Sequence, residues 1–347
     1  MKHNKEKTFI IAEAGANHDR KLEQAYKLIK IAAASGADAV KFQTYSSETL
    51  YSKHTPDFAG YKNIPDLIRS IELPRAWHGD LKKCCDDNGI EFMSTPFDER
   101  AIDELAELGV KRLKISGFEA TDPRIVRYAA RTGLPLIITK GIGCDVVGVH
   151  EIIQNIMLVN DSPDLTFLHG NNAYPTPFKD IKIDSITQLK KMKYNTFIKV
   201  GISDHSLGIV VPPLAVMLGA TVVEKHFTIS RTFKGPDHSF AIEPDELNEM
   251  VKNIRIAETV RGIKHDITES EKPFQFARRS LVTKRAIKEG EVLTFENVTT
   301  KRPAIAGCID ASNYFNLLEN RNIFATCAFK KDQVLLWADV TAPGELK

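Results

Sequence analysis

Two histidines have the spacing expected of a metal site. His226 follows the apolar run ATVVEK, and His205 follows IKVGISD, 21 residues earlier. That separation is about one strand-and-helix repeat, so the two imidazoles should stand at the ends of neighbouring strands. Two imidazoles with water suit a borderline divalent cation such as Mn²⁺, Zn²⁺ or Co²⁺, whereas a structural zinc site usually has about four protein ligands. We therefore predict an open, hydrated metal site on His205 and His226.

Two lysines in predicted strands indicate a second kind of chemistry. Lys41 lies in DAVKFQTY and Lys114 in RLKIS, and both have hydroxyl or amide side chains nearby. Lysine binds phosphate as a point charge. The pair predicts a cationic pocket for a small phosphorylated anion beside the metal. After His226, the turn GPDHS carries Asp237 and His238.

The elements that must position these residues alternate along the chain. Runs that predict strands are 9–15, 38–45, 91–97, 112–116, 134–141, 165–170, 198–204 and 221–228. Helical patterns separate them, and this alternation implies βαβ units and a parallel sheet. Eight such units predict a (β/α)8 TIM barrel. A doubly wound sheet stays open, although no GxGxxG follows the first strand.

Polar side chains end every predicted strand, which is where barrel active sites are built. They are Glu13, Asn17 and His18; Lys41 and Gln43; Ser94, Thr95 and Asp98; Lys114, Ser116 and Glu119; Thr139 and Lys140; Asn171, Asn172 and Tyr174; Ser203, Asp204 and His205; Glu224, Lys225 and His226. Each alone has a structural explanation: Ser94 or Thr95 could cap a helix, and Lys225 could extend along apolar neighbours to water. Burying them all unpaired would cost roughly 1–3 kcal/mol per group, so the set predicts a ligand cavity.

Composition limits the classes of function. A net charge of +2 gives no strong attraction to nucleic acid or an anionic membrane. The five cysteines are scattered without a CxxC pair, which is typical of a reducing cytosol. No signal peptide or membrane span is expected, because no apolar run approaches about 20 residues. We predict a barrel domain at 1–262, a linker at 263–280 and a small, mostly β domain at 281–347.

Motifs in chain order resemble those of the sialic acid (nonulosonic acid) synthases. They are IIAEAGANH, GADAVKFQT, FMSTPFD, LKISGFE, YPTPFKD, GISDHSLGI, EKHFTISRTFKGPDHS, ARRSLV and KRP, and together they cover nearly the whole chain. The resemblance implies condensation of phosphoenolpyruvate with an N-acylated amino sugar. It also implies a TIM barrel with a C-terminal antifreeze-like (SAF) domain, and a homodimer in which each small domain covers the partner's barrel.

The resemblance implies a role for each matching residue. His205 and His226 match the metal-binding histidines, which usually serve Mn²⁺, with Mg²⁺ or Co²⁺ as alternatives. Positions that match phosphoenolpyruvate contacts are Lys41, Lys114, Ser203 and Asn172; strand-end candidates for substrate binding are Ser94, Ser116 and Thr139. Positions that match contacts to the amino sugar or the metal's water are Glu13, Gln43, Tyr174 and Asp237. Glu119 matches a carboxylate that helps to activate water, and Arg302 matches a small-domain arginine that reaches the partner's acceptor sugar. The predicted catalytic residues are Glu13, Glu119, Lys41 and Lys114.

Four places depart from the family pattern, and they cluster around the predicted phosphate and acceptor pockets; one is Ala304, which follows KRP where glycine is usual. The fourth strand reads LKISGFE around Ser116, the fifth ends TKGI, so that Thr139 stands where serine is usual, and the sixth is followed by GNNAYP. These differences leave the acceptor open between N-acetylmannosamine and the 6-deoxy-diacetamido hexoses that give legionaminic or pseudaminic acid.

Other classes of protein stay as alternatives. A Schiff-base aldolase would use a strand lysine, Lys114 or Lys225, to attack a carbonyl. A metal-dependent hydrolase would usually have an HxH pair on its first strand, where this chain has EAGANH. A carbohydrate-binding protein would explain the small domain but not the polar ends of the barrel strands.

Overall fold

The computed structural model describes residues 7–57, 60–192, 198–264, 266–320 and 323–342. Contacts within the chain divide it into two compact units, Met1–Arg261 and Gly262–Lys347. Residues 263–280, which the sequence predicts as a linker, lie within the second unit. In the described residues no helix is both long enough and apolar enough to cross a membrane.

The first unit contains the eight predicted strands as one parallel sheet. The strands are β1 (Phe9–Glu13), β2 (Ala39–Thr44), β3 (Glu91–Pro96), β4 (Leu113–Ile115), β5 (Leu136–Thr139), β6 (Leu165–Gly170), β7 (Ile198–Asp204) and β8 (Val222–His226). Their hydrogen-bonded order is β3-β2-β1-β8-β7-β6-β5-β4, and β3 and β4 at its two ends also lie side by side. Sequential neighbours with β1 beside β8 make a TIM barrel, which confirms the predicted fold class.

Helices follow the strands and form the outer layer. They are α1 (Leu22–Ala34), α2 (Ser47–Leu50), α3 (Ile64–Ile71), α4 (His78–Asp87), α5 (Glu99–Glu107), α6 (Pro123–Arg131), α7 (Val146–Met157), α8 (Ser185–Lys191), α9 (Val211–Leu218) and α10 (Pro244–Val260). Local sequence sets several of their starts. Asp98, one of the polar residues after β3, accepts a hydrogen bond from the Ala101 amide at 2.7 Å and so caps α5.

Period-two alternation divides the core into two layers. Residues on one face of six of the strands fill the barrel interior: Ile11, Ala39, Met93, Ile137, Leu168 and Val222. Residues on the other face, such as Val40 and Phe42, pack against the helices. Because side chains two residues apart share a face, the interior face continues towards the strand ends from Val222 to Glu224 and His226. The apolar interior is therefore the floor beneath the polar strand ends.

The second unit has a small core of its own. Its strands are β9 (Ser280–Thr283) and β10 (Val298–Lys301), which pair antiparallel, and β11 (Phe324–Ala325) and β12 (Val340–Thr341), which also pair antiparallel. Its described residues include one α-helix, α11 (Tyr314–Asn320). Leu281, Val298 and Leu335 are buried in its hydrophobic cluster.

Candidate active site

A polar pocket lies at the carboxyl ends of the barrel strands. Its lining residues come from all eight strands or the loops that follow them: Glu13, Lys41, Gln43, Thr95, Phe97, Lys114, Ser116, Gly117, Thr139, Asn172, Tyr174, Ser203, His205, Glu224 and His226. Of the fifteen residues that the sequence predicts as site residues, eleven are in this set. The strand-end pattern thus brings most of the predicted residues to one place.

A buried network of opposite charges occupies the floor of the pocket. Lys41 Nζ lies 2.8 Å from Glu13 Oε2 and 3.7 Å from Glu224 Oε2, while Lys114 Nζ lies 3.3 Å from Glu224 Oε1. Lys41 Nζ also donates to Thr95 Oγ1 at 2.8 Å. The four charged side chains are at most 4% exposed. Charges buried this deeply persist only when they are paired or meet a ligand.

The two carboxylates of this network have different charge states. Burial, opposed by Lys41 and reinforced by Glu224, raises the pKa of Glu13 to about 7. Burial alone would raise the pKa of Glu224, but Lys114 and Lys41 outweigh it and hold that pKa at about 2. At neutral pH Glu224 is ionised and Glu13 is partly protonated, so the two lysines retain some positive charge for an anion.

Hydroxyl groups around the lysines add polar contacts. Ser203 Oγ donates to Glu224 Oε1 at 2.9 Å. Thr139 Oγ1 is buried and has no hydrogen-bond partner among the described residues. A buried hydroxyl without a partner is costly, and a ligand oxygen in the pocket would satisfy it.

The two predicted metal ligands face each other across the ends of β7 and β8. The ring centroids of His205 and His226 are 5.5 Å apart. His205 Nδ1 lies 2.6 Å from the carbonyl oxygen of Asn171, which only accepts, so Nδ1 carries the hydrogen and Nε2 keeps its lone pair. Burial lowers the pKa of His205 to about 4 and lowers that of His226 well below its usual value. Both imidazoles are therefore neutral, the form that binds metals.

The Nδ1 atom of His226 is placed to act as a metal ligand. His226 Nδ1 is buried and has no hydrogen-bond partner within the described part of the chain. Over those same residues, no group of three or more His, Cys, Asp or Glu side chains could hold a metal ion. A cation here would have two imidazole ligands, with the remaining positions open to water or substrate, which fits a catalytic rather than a structural metal site.

The loop after β1 binds Asp237, which lies in the segment after β8, and holds it beside His226. Asp237 Oδ2 accepts from the Ala16 amide at 3.0 Å and lies 4.0 Å from His226 Nδ1. Gly15 has φ +50, and a Cβ there would meet Asp237 Oδ2 at 2.5 Å. Glycine is required at this position both for the left-handed backbone and for the close approach of the carboxylate. Burial raises the pKa of Asp237.

Residues after β4 and β6 form the opposite rim. Ser116 Oγ donates to Glu119, whose pKa is raised by burial. The Tyr174 ring lies 4.2 Å from the His205 ring, centroid to centroid. A Cβ at Gly117 would lie 2.8 Å from the amide group of Asn172, so the small residue after Ser116 lets Asn172 approach the pocket.

Three predicted or considered residues are placed elsewhere. Ser94 is paired in register with the helix-facing Phe42, and its hydroxyl hydrogen-bonds Thr44 Oγ1 at 2.7 Å, so the residue of β3 that lines the pocket is Thr95 instead. Lys225 faces the helix layer and pairs with Asp204, which removes it as a Schiff-base lysine of this pocket. Arg302 belongs to the second unit, where it is exposed and follows β10.

Glu224 is a site residue that the sequence analysis did not assign. It contacts both lysines and Ser203 and is as buried as they are. The alternation of β8 could have identified it, because Val222, Glu224 and His226 share one strand face. A carboxylate between an interior residue and a metal-ligand candidate is on the pocket side of the strand.

Comparisons with known proteins place the chain in a family. Residues 28–266 match the NeuB family and residues 278–341 match the SAF domain. The chain is 38% identical to the N,N'-diacetyllegionaminic acid synthase of Legionella pneumophila, over 96% of this chain and 95% of that protein. It is 36% identical to a pseudaminic acid synthase of Campylobacter jejuni, over 86% and 88%. The crystal structure of an N-acetylneuraminic acid synthetase from Leptospira borgpetersenii superposes with a TM-score of 0.69 at 32% identity, covering 77% of this chain and 90% of that one.

Proposed function

This chain belongs to the NeuB family, and we propose from that premise that it condenses phosphoenolpyruvate with an N-acylated amino sugar. The products are a nine-carbon 2-keto-3-deoxy acid of the sialic acid type and phosphate. The chain is accordingly a transferase that forms a carbon–carbon bond. One observation carries the proposal: a pocket that joins two buried lysines to two neutral histidines.

Phosphoenolpyruvate would bind over the lysine network. Lys41 and Lys114 supply positive charge, and the Ser203, Thr139 and Asn172 side chains supply hydrogen bonds. The Thr139 hydroxyl, which has no partner among the described residues, supports this placement, because a phosphate or carboxylate oxygen would satisfy it. Fixed charges in a buried pocket stabilise the phosphate without reorganising during the reaction.

A divalent cation would be held by His205 and His226. We propose Mn²⁺, with Mg²⁺ or Co²⁺ as alternatives, since two neutral imidazoles fit such an ion and His226 Nδ1 has no hydrogen-bond partner in the described part of the chain. When bound, the cation supplies Lewis-acid polarisation of the acceptor's aldehyde. Asp237, Gln43 and Tyr174 would orient the sugar, with Glu13 beside them.

The bond changes balance as follows. C3 of phosphoenolpyruvate attacks the aldehyde carbon, the new carbon–carbon bond forms, and the aldehyde oxygen takes up a proton to become a hydroxyl. Water adds to the electron-poor C2 and gives a proton to a carboxylate, for which Glu119 is the candidate. In the tetrahedral product of that addition the C2–O bond to phosphate breaks, and the C2 hydroxyl gives its proton to the departing phosphate and becomes the keto oxygen of the 2-keto acid. The raised pKa of Glu119 supports a role in proton transfer.

The arrangement of the whole protein is also part of the proposal. We propose a barrel domain at 1–262, a linker at 263–280 and a SAF domain at 281–347, whose Arg302 reaches the acceptor sugar in the barrel of a second copy. A cytoplasmic location is supported by the five cysteines, all of which are free thiols.

Phosphate release tests this function. Purified protein with phosphoenolpyruvate and Mn²⁺ is assayed in parallel with N-acetylmannosamine and two 6-deoxy-diacetamido hexoses. We expect release with one of these sugars, loss of release on chelation, and loss in His226→Ala but not in a variant of the exposed residue, His54→Ala. Release that persists without metal, or borohydride trapping of a substrate on Lys114, would contradict the proposal and favour a Schiff-base aldolase.

A further inference from the structure

A buried ion pair lies on the far side of the strands that carry the two histidines. Lys225 Nζ is 2.7 Å from Asp204 Oδ2, and each side chain is only 1% exposed. Lys225 Nζ also donates to the carbonyl oxygen of Ser206. Asp204 Oδ1 accepts from the Ser206 amide at 2.9 Å and from its hydroxyl at 2.7 Å. Both charged groups are therefore held by several contacts at once.

The ion pair lies where β7 and β8 end. Asp204 precedes His205, Lys225 precedes His226, and Asp204 and Lys225 are the last register partners of β7 and β8 in the described structure. Since neighbouring residues of a strand face opposite sides, the ion pair faces the helices while the histidines face the pocket. His205 and His226 each lie one residue beyond the last pair of the β7–β8 ladder. The backbone hydrogen bonds between these two strands therefore do not fix the distance between the two imidazoles.

Energetics argue that this pair has a purpose other than stability. Burying two charges costs desolvation energy that their attraction often fails to recover, and apolar residues of similar volume frequently do as well or better. Other helix-facing residues of the barrel strands are apolar, such as Val40 and Phe42, or uncharged, such as Thr44 and Ser94. The ion pair at the junction of β7 and β8 instead ties two backbones together at a defined distance.

We propose that Asp204 and Lys225 form a positioning pair, which clamps the ends of β7 and β8 so that His205 and His226 share one divalent cation. This inference rests on the proposed function, because it assigns the clamp to that metal site. The ring centroids of the two histidines are 5.5 Å apart, and a small opening of the strand ends would separate them beyond the reach of a common ion.

The test measures Mn²⁺ binding rather than turnover. In the double variant Asp204→Asn/Lys225→Met no unpaired charge is buried, and the asparagine oxygen still accepts from Ser206. Its fold is checked by circular dichroism and thermal melting, and Mn²⁺ affinity is measured by calorimetry and electron paramagnetic resonance. We expect the affinity to fall by about 10-fold, the lower end of the effect seen when a group that orients metal ligands is removed.

A matched control is another ion pair between neighbouring strands. Arg112 Nε lies 2.8 Å from Glu91 Oε1, joining the starts of β4 and β3 at the other end of the barrel. Glu91→Gln/Arg112→Met should leave Mn²⁺ affinity unchanged. A milder variant, Ser206→Ala, removes one hydrogen bond to Asp204 and should lower the affinity less than the double variant does.

The outcomes separate the clamp from the metal site. Wild-type Mn²⁺ affinity in a folded double variant would overturn the clamp and leave the metal site intact. Absence of Mn²⁺ binding by the wild-type protein would overturn the site and the clamp together. If the double variant does not fold, Ser206→Ala decides: an unchanged affinity there overturns the inference, and a reduced one supports it.

Discussion

Two carboxylates in one pocket differ in charge because their neighbours differ. Glu224 lies between Lys114 and Lys41, and both lysines favour its ionised form. Glu13 contacts only Lys41 of the two, so burial prevails and the proton is retained up to a pH of about 7. Two ionised carboxylates would neutralise the two lysines. The partly protonated Glu13 leaves the pocket with the positive charge that an anionic substrate requires.

His18 allows a test of burial at the level of one residue. Its side chain is 1% exposed, its Nδ1 accepts from the Arg20 amide at 3.0 Å, and the rings of Phe42 and Trp77 lie beside it. Burial, partly opposed by Asp19, lowers the pKa of His18 to about 4. The unfolded chain takes up a proton below pH 6.5, whereas the folded chain resists it until about pH 4. Stability is therefore lost as pH falls through this window, by roughly 3 kcal/mol at most.

We expect His18→Asn to reduce the pH dependence of stability. The asparagine oxygen can replace Nδ1 as the acceptor for the Arg20 amide, but it does not titrate. Between pH 7 and pH 5 the wild-type free energy of unfolding should fall by about 2 kcal/mol more than that of the variant. Urea unfolding at the two pH values measures this difference. The pocket histidines, whose pKa values are also lowered, contribute equally to both proteins, so their effect cancels in the comparison. Equal slopes would show that His18 is not held neutral, and His54→Asn serves as the exposed control.

Alternation along β3 decides which hydroxyl belongs to the pocket. Thr95 Oγ1 accepts from Lys41 Nζ at 2.8 Å, whereas Ser94 Oγ contacts Thr44, which in turn contacts His78 Nε2 at 3.0 Å. Thr95→Val should raise KM for phosphoenolpyruvate about fivefold, since Lys41 loses a hydrogen-bond partner worth about 1 kcal/mol. Ser94→Ala should leave kcat/KM unchanged and lower the free energy of unfolding by about 1 kcal/mol.

Steady-state kinetics and urea unfolding of both variants distinguish the two faces. The expected results are opposite: a kinetic effect without much loss of stability in one, and a loss of stability without a kinetic effect in the other. A raised KM in Ser94→Ala with unchanged kinetics in Thr95→Val would mean that the register of β3 is shifted by one residue.

The sequence predicts the strands and helices better than it predicts which face of a strand each side chain occupies. Apolar runs and helical patterns identify all eight strands, because burial of a parallel strand on both faces demands continuous hydrophobicity. The same continuity hides the alternation at the strand ends. Ser94 and Thr95 are both small and polar, and Glu224 and Lys225 are both charged, so composition alone does not say which of each pair faces the pocket. Register with the neighbouring strand supplies that information.

At the scale of the whole molecule, the change of pattern near Leu281 predicts a separate small domain, and the SAF match covers residues 278–341. Short strands and an exposed Arg302 after β10 belong to that unit. The hydrophobic pattern does not specify which barrel Arg302 would serve, and the assignment to the partner's barrel comes from the family resemblance alone. An experiment on mixed subunits addresses that question directly.

Two impaired variants would reveal a site shared between copies. His226→Ala should damage the barrel, and Arg302→Ala should raise KM for the amino sugar through the second unit. After co-refolding the two variants, each mixed dimer with exchanged small domains has one site carrying both lesions and one site carrying neither. Random pairing should therefore restore about a quarter of the wild-type activity.

The alternative arrangement gives no such recovery. If Arg302 serves the barrel of its own chain, every site in every mixed dimer retains one lesion, and the mixture is no more active than its components. Size-exclusion chromatography with light scattering confirms that mixed dimers are present, and tags of different size identify them. Recovery near the expected fraction, with the KM for the sugar back at its wild-type value, would require Arg302 to act across the subunit boundary. Recovery of activity with the KM still raised would instead contradict the contact with the sugar, because the restored sites would then lack what Arg302 is proposed to provide.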